Sequence, residues 1–371
     1  MARKTFYESW MEQERLPLVT GYGVSDVRTV ERGEWARTGG SGAFVHLTGM
    51  EGFTGMHVGE IPAQGSLRPQ RHLYQQFITV LAGRGTAEVW LPGREDSKST
   101  FEWQQDSLFV IPLNCSYVLH NTGSDPAVYL AVNDAPTVMD IFHNEDFIFK
   151  NDYRFTDRFE PSADFFTMAN RYENYAGGIS ETNFIQDINA VSLDALDVKG
   201  RGVDLTAFEM AGNTMVAHIN TWPVGRYHKA HHHLGGAVLY GLKSEGYVLL
   251  WPQEAGVQPY AQGNGDEVVK VDWGVGSVYS PPTKWFHQHF NTGAEPARQL
   301  AFRGGSVNHP TGIRRAGNRI INGKPGVHVS VHEGGTLIHY EDEDPQILAD
   351  YTAAVKRRGV TPDMATGLSQ R

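Results

Sequence analysis

The chain has 371 residues, 40% of them hydrophobic, with 32 basic and 42 acidic side chains and a formal charge of -10. That length and composition suit a globular protein of two ordinary domains, and the acidic balance without a long basic cluster excludes nucleic acid as a partner. One cysteine, Cys115, excludes an internal disulfide; no stretch approaches the length of a membrane span; and the polar first ten residues lack a secretory signal's apolar core, so a cytoplasmic location is expected.

Near the N-terminus, Phe6, Tyr7, Trp10 and Met11 recur at helical spacing before Pro17, which predicts a short capping helix. Residues 77–81, 107–111 and 127–132 are short, β-branched or aromatic runs bounded by Gly, Asn, Asp or Pro, and read as strands. Around them lies a frame: Gln70-Arg71-His72, Gln76 and Gly83, then Asp106 leading to Pro112, Tyr117 and Asn121. Residues 135–200 are too rich in Phe and Tyr for a disordered linker, and an ordered connector packed along both lobes is expected there. Residues 246–252 and 299–303 match the earlier strands, and Asn291-Thr292-Gly293-Ala294-Glu295-Pro296-Ala297 echoes Asn121-Thr122-Gly123-Ser124-Asp125-Pro126-Ala127. One half of the chain repeats the other. Near the end, Asp344 and Pro345 open a helix with Ile347, Leu348, Tyr351 and Val355 on one face, closed by Lys356-Arg357-Arg358-Gly359.

Two stretches of the second half each hold three histidines, Tyr227-His228-Lys229-Ala230-His231-His232-His233 and Trp285-Phe286-His287-Gln288-His289-Phe290-Asn291. Strand side chains alternate faces, so His231 and His233 point one way and His232 the other. A third imidazole, His287, must come from a neighbouring strand, whose alternation puts His289 and Asn291 on the same side. His228 falls outside the parity of His231 and His233, and only a bulge would bring it to them. Imidazole suits iron, copper, nickel and zinc alike, and three protein ligands leave positions open for substrate, water or oxygen.

The spacing Gly225-x5-His231-His232-His233, with Gly276-x5-Pro282 and then His287 and Asn291, resembles the paired motifs of the cupin superfamily. Ala237 stands where that family has a glutamate ligand, and Ser244 and Lys284 replace two of its glycines. The resemblance implies an all-β chain: two tandem cupin jelly-roll barrels, a bicupin, with a few short peripheral helices. The first, 1–134, has a degenerate site, since Gln70, Gln76 and Tyr117 stand in the ligand places. The connector is 135–200, and 201–371 is the second barrel, with the metal site and the C-terminal helix.

It also implies a divalent metal on His231, His233 and His287, with Fe(II) the expected ion and Mn, Ni, Zn or Cu compatible. Three-histidine iron cupins resemble thiol dioxygenases and a diketone-cleaving dioxygenase, and the two-barrel layout resembles gentisate-type ring-cleaving dioxygenases. An iron-dependent dioxygenase for a small, chelating, anionic or aromatic substrate is therefore expected, with O2 as co-substrate and a homo-oligomeric assembly. The rival expectations are a non-redox isomerase, lyase, decarboxylase or hydrolase using the ion as a Lewis acid, and a non-catalytic binding protein. Lys229 shares the parity of His231, which suits a substrate carboxylate or a solvated position at the barrel mouth equally. His289 is either a proton-transfer group or a core imidazole. Trp285, Tyr227 and Tyr240 are expected either to line an aromatic pocket or to pack.

Overall fold

Strand Gln76–Ala82 is apolar along nearly its whole length because both of its faces are covered. Ile78 and Val80 enter the core of their own lobe, while Phe77 and Leu81 point at the other lobe. A strand with one face in water would alternate apolar with polar; a strand buried on both faces does not. The computed structural model describes residues 3–50, 52–167, 169–174, 177–312 and 319–364, and this two-sided burial recurs through both halves.

In the first lobe a large sheet runs in the order Leu18–Gly21, Gly40–Leu47, Gly55–Ile61, Ala127–Asn133, Gln76–Ala82, Leu108–Ile111 and Phe184–Ile185, with Gly33–Trp35 beside Gly40–Leu47. A three-stranded sheet of Ser116–Asn121, Arg84–Trp90 and Ser99–Gln104 faces it. The second lobe repeats the plan. Its large sheet is Ala169–Asn174, Gly177–Thr182, Asp204–Glu209, Met215–Trp222, Ala297–Gly304, Val238–Lys243, Val278–Tyr279 and Gly23–Val24, and its small one is Val269–Trp273, Gly246–Pro252 and Trp285–Asn291. Each lobe closes around its own apolar interior. This is an all-β layout of two tandem lobes built on one repeated plan, as the sequence repeat leads one to expect.

The lobes exchange edge strands. Gly23–Val24, from the start of the chain, pairs with Val278–Tyr279 of the second barrel, and Phe184–Ile185 pairs with Leu108–Ile111 of the first. The connector thus supplies strands to both lobes. Each exchange is fastened at the turn that opens the second motif: Val27 N–H donates to Gly276 O (2.8 Å), and Ile188 N–H donates to Asp106 O (3.0 Å). Both turn residues are left-handed, Gly276 at φ 90° and Asp106 at φ 66°. A Cβ on Gly276 would stand 2.6 Å from Asp26 Oδ1, so glycine is required where the exchanged segment crosses. Ser244 (φ 67°) and Lys284 (φ 61°), which stand in the glycine places of the resemblance, keep that left-handed backbone without the glycine.

Four helices lie outside the sheets among the described residues. Helix α1, Phe6–Glu14, opens with a capping box in which Thr5 and Glu8 satisfy each other's backbone N–H. It packs with α2, Ala135–Phe142, and α3, Glu145–Lys150, around Trp10, Phe44, Met139 and Ile148. Helix α4, Pro345–Arg357, capped by Asp344, lays Ile347, Tyr351 and Val355 on the outer face of the second small sheet, against Phe286 and Phe290. No helix among the described residues is long and apolar enough to cross a membrane.

Phe77 and Phe302 meet across the lobe interface with ring centroids 5.4 Å apart, both fully buried. Phe302→Ala is expected to cost about 3–5 kcal/mol. Because the lobes share this core, urea unfolding is expected to show one transition for wild type and variant alike. Two separated transitions would show that the lobes fold independently.

Candidate metal centre

Strand Trp285–Asn291 divides its side chains by parity: Phe286 and Phe290 face α4, while His287 and His289 face the barrel interior. The segment opposite is not a plain strand. Two isolated bridges hold it, Tyr227 to Phe290 and His231 to His287, four residues apart on one side and three on the other. One residue is extra, as in a β-bulge, and alternation slips there. Downstream the alternation resumes: His231 and His233 face the cavity, and His232 between them packs on Phe286 at 4.9 Å between ring centroids.

The structure brings His231, His233 and His287 together, with ligand nitrogens all within 4.8 Å of one another. Each ring is fastened by its far nitrogen. Nδ1 of His231 bonds to Lys229 O (3.1 Å), that of His233 to Leu234 O (2.6 Å) and that of His287 to Trp285 O (3.2 Å). A carbonyl can only accept, so each Nδ1 carries the proton and each Nε2 keeps a lone pair. Burial, the leading cause in all three, holds their pKa values far below the ordinary 6.5, to about 3 for His287. Three neutral imidazoles of one tautomer fit a divalent ion.

His289 lines the same cavity. Its Nδ1 lies 2.8 Å from the Tyr279 hydroxyl, which donates onward to Gln299 Oε1 at 2.8 Å. With the hydroxyl proton committed to Gln299, His289 Nδ1 is the donor and its Nε2 is left as an acceptor. His228, carried inward by the bulge, packs against Trp222 with ring centroids 4.4 Å apart and planes tilted by 59°, and among the described residues its buried Nε2 has no partner. Lys229 is turned away: its ammonium lies over the Tyr340 ring and 3.5 Å from His339 Nδ1. The bulge is the reason, because parity counted back from His231 fails across it.

Two cations enter the cavity instead. Lys199 Nζ donates to His231 Nε2 at 3.2 Å, and Arg303 shares the lining. Burial, and next the charge of Arg303, lower the Lys199 amine to about 8. Arg303 was legible by alternation, since Gln299, Ala301 and Arg303 share one face of their strand; so was His218, with Asn220 and Trp222. Lys199 belongs to a short turn, Asp197–Lys199, outside every motif, and nothing in the sequence marks it. Trp285, Tyr227 and Tyr240 do not line the cavity. Tyr227 packs under α4, Tyr240 lies in the core between the lobes and Trp285 lies beside Tyr22.

No family model matches the sequence, and no curated protein matches it. Solved structures similar in shape include an oxalate decarboxylase of Lactobacillus farciminis in complex with formate, at TM-score 0.49 and 11% identity, covering 77% of this chain and 86% of that one. A mutant of the Bacillus subtilis oxalate decarboxylase gives TM-score 0.49 at 12% identity, covering 79% of each chain. Nothing about the chemistry of this chain follows from likenesses of that size.

In the first barrel the corresponding places are filled differently. Gln70 turns out to backbone carbonyls of Arg37, Arg68 and Pro69, while Gln76 Nε2 donates to the Tyr117 hydroxyl at 3.1 Å inside the barrel. His72 stacks on Tyr74 at 3.9 Å between ring centroids. Among the described residues, no trio of His, Cys, Asp or Glu like that of the second barrel gathers there.

Behind the histidine strand, Glu343 receives hydrogen bonds from the Tyr227 hydroxyl and from Gln288 Nε2 (3.0 Å), and Gln288 also donates to His228 O (3.0 Å). Burial outweighs these donors and raises the Glu343 carboxyl from 4.5 to about 7. The folded state thus holds this proton more tightly than the unfolded chain. Its stabilisation is complete below about pH 4.5 and is lost as pH rises through about 7. Glu343→Gln is expected to flatten the fall in urea midpoint between pH 5 and 8. A variant curve parallel to the wild-type curve would remove Glu343 as its source.

Proposed function

We propose that the second barrel is the active site of a divalent-metal enzyme for a small organic anion, with Fe(II) as the ion and dioxygenation as the reaction. One observation carries this reading: three neutral imidazoles, each tied at Nδ1, turn their Nε2 lone pairs toward one space. His231, His233 and His287 would hold the ion. Bound there, it would polarise substrate oxygens and, as iron, activate dioxygen.

The chain's own residues supply the rest. His289, fixed by Tyr279 and Gln299, presents an Nε2 lone pair that accepts a proton from a bound substrate. Among the described residues no Asp or Glu lines the cavity, so proton handling falls to imidazoles and to Lys199. Leu205, Leu239 and Val327 give it apolar walls that limit water. At about 170 Å³ the cavity is below the roughly 300–1,000 Å³ of sites for drug-sized ligands, which suits a compact substrate. Cys115, the single cysteine, is buried and free, and a chain without a disulfide supports the cytoplasmic location included in this proposal.

One observation favours a non-redox reaction, such as that of a lyase or decarboxylase. The Lys199 ammonium at His231 sets a proton donor beside the same substrate position, as acid–base chemistry on a Lewis acid requires. Metal analysis of the purified protein separates the two readings. Iron with substrate-dependent oxygen uptake supports dioxygenation, and manganese or zinc turnover without uptake supports the second.

His287→Ala is expected to lose stoichiometric metal and activity while keeping its circular dichroism spectrum; retained stoichiometric metal would refute the ligand assignment. Tyr117→Phe, in the first barrel, is expected to leave metal content unchanged.

A further inference from the structure

We propose that Lys199 and Arg303 form a carboxylate-binding subsite that holds the anionic end of the substrate beside the three-histidine cluster. The inference deepens the function proposed above, on which it relies only for what the other end of the substrate meets.

Both cations line the cavity, and among the described residues neither forms an ion pair with a carboxylate. Arg37 is paired with Glu14, Arg32 with Glu60 and Arg226 with Asp363, and Arg298, buried without a carboxylate among the described residues, gives its protons to the Ile188 and Val191 carbonyls at 2.8–3.2 Å. Among the described residues, Arg303 makes one side-chain hydrogen bond, a long one to Gly304 O at 3.4 Å. Two like charges drawn out of water together are unfavourable unless something supplies countercharge, and among the described residues no acidic side chain of the lining does so. A ligand must.

The donor set selects the anion. A guanidinium is a planar fork that matches the two oxygens of one carboxylate, and an ammonium adds a point charge. A phosphate, with three strong acceptor oxygens and about two charges, asks for more donors than one fork and one ammonium provide. Leu196, Leu205 and Val307 line the rest, so the preferred ligand is a small carboxylic acid with a short apolar or hydroxylated body.

Both positions are fixed by backbone. Ala301 lies in the barrel core, and strand alternation sends Arg303 to the same side. Lys199 O accepts from Lys229 N–H at 2.7 Å, which docks the turn Asp197–Lys199 on the histidine segment. The Lys199 ammonium also uses the His231 Nε2 lone pair. That lone pair serves one cation at a time, so an ion bound by the trio would release the ammonium toward the substrate.

The test is calorimetric titration of the full-length, chelator-treated protein with glycolate, with glycolamide and inorganic phosphate as comparators. Glycolate is expected to bind without metal and glycolamide to bind at least about tenfold more weakly. Arg303→Gln and Lys199→Met should each weaken glycolate by about tenfold or more, and Arg303→Lys, which keeps the charge and loses the fork, should fall between. Lys199→Met should also bind Zn2+ more tightly than wild type, a change that a merely structural lysine would not produce. His287→Ala should lose metal yet keep glycolate binding, which separates this subsite from the metal assignment. Unchanged glycolate affinity in folded Arg303→Gln and Lys199→Met, equal binding of glycolamide, or tighter binding of phosphate than of glycolate would overturn the proposal.

Discussion

Phe302 lies against Phe77 of the other lobe, and Arg303, one residue on, enters the cavity of its own barrel. That juxtaposition expresses the constraint on which the molecule depends: each large sheet is buried on both faces, one by its barrel core and one by the twin lobe. A slip of one residue would send Leu300 and Phe302 into the cavity and Arg303 into an apolar interface. Burial of both faces therefore fixes the strand register, and the register fixes which polar groups line the site. The exchange of Gly23–Val24 and Phe184–Ile185 reinforces this by tying each barrel's second motif to the opposite half.

The two barrels show one frame carrying different interiors. In the second, neutral imidazoles tied to backbone carbonyls leave their lone pairs free and converging. In the first, Gln76 and Tyr117 satisfy each other, and Gln70 faces backbone carbonyls outside. The turn geometry persists in both, with Asp106 and Gly276 each left-handed, because the chain exchange needs that turn whatever the site contains. Fold is kept by packing, and site chemistry is set by a handful of inward positions.

Polar groups inside the second barrel are arranged by what they lack. His231, His233 and His287 have backbone partners at Nδ1 and Nε2 lone pairs turned to the cavity; among the described residues, Lys199 and Arg303 have no carboxylate. Each set is incomplete in a complementary sense, the first wanting a cation and the second an anion. Under the function and subsite proposed above, a metal ion and a carboxylate ligand would meet both needs in one small cavity.

Much of this was readable in the residues themselves. The repeat, the strands, α1, α4 and the histidine positions follow from period-2 and period-3.6 patterning and from motif spacing, because those are properties of the local backbone. Period 2 also placed His289 on the inner face and, applied to 299–303, identifies Arg303. Lys229 escaped that logic because one extra residue between Tyr227 and His231 reverses parity, and a bulge is set by the pairing of two distant segments. Lys199 escaped it because its turn reaches the site only through the docking of 197–199 on 229. The sequence alone determined the periodic elements and the ligand spacing, which depend on near neighbours. Only the tertiary structure decided the slipped register, the strand exchange and the two unpaired cations, since each is a contact between residues far apart along the chain.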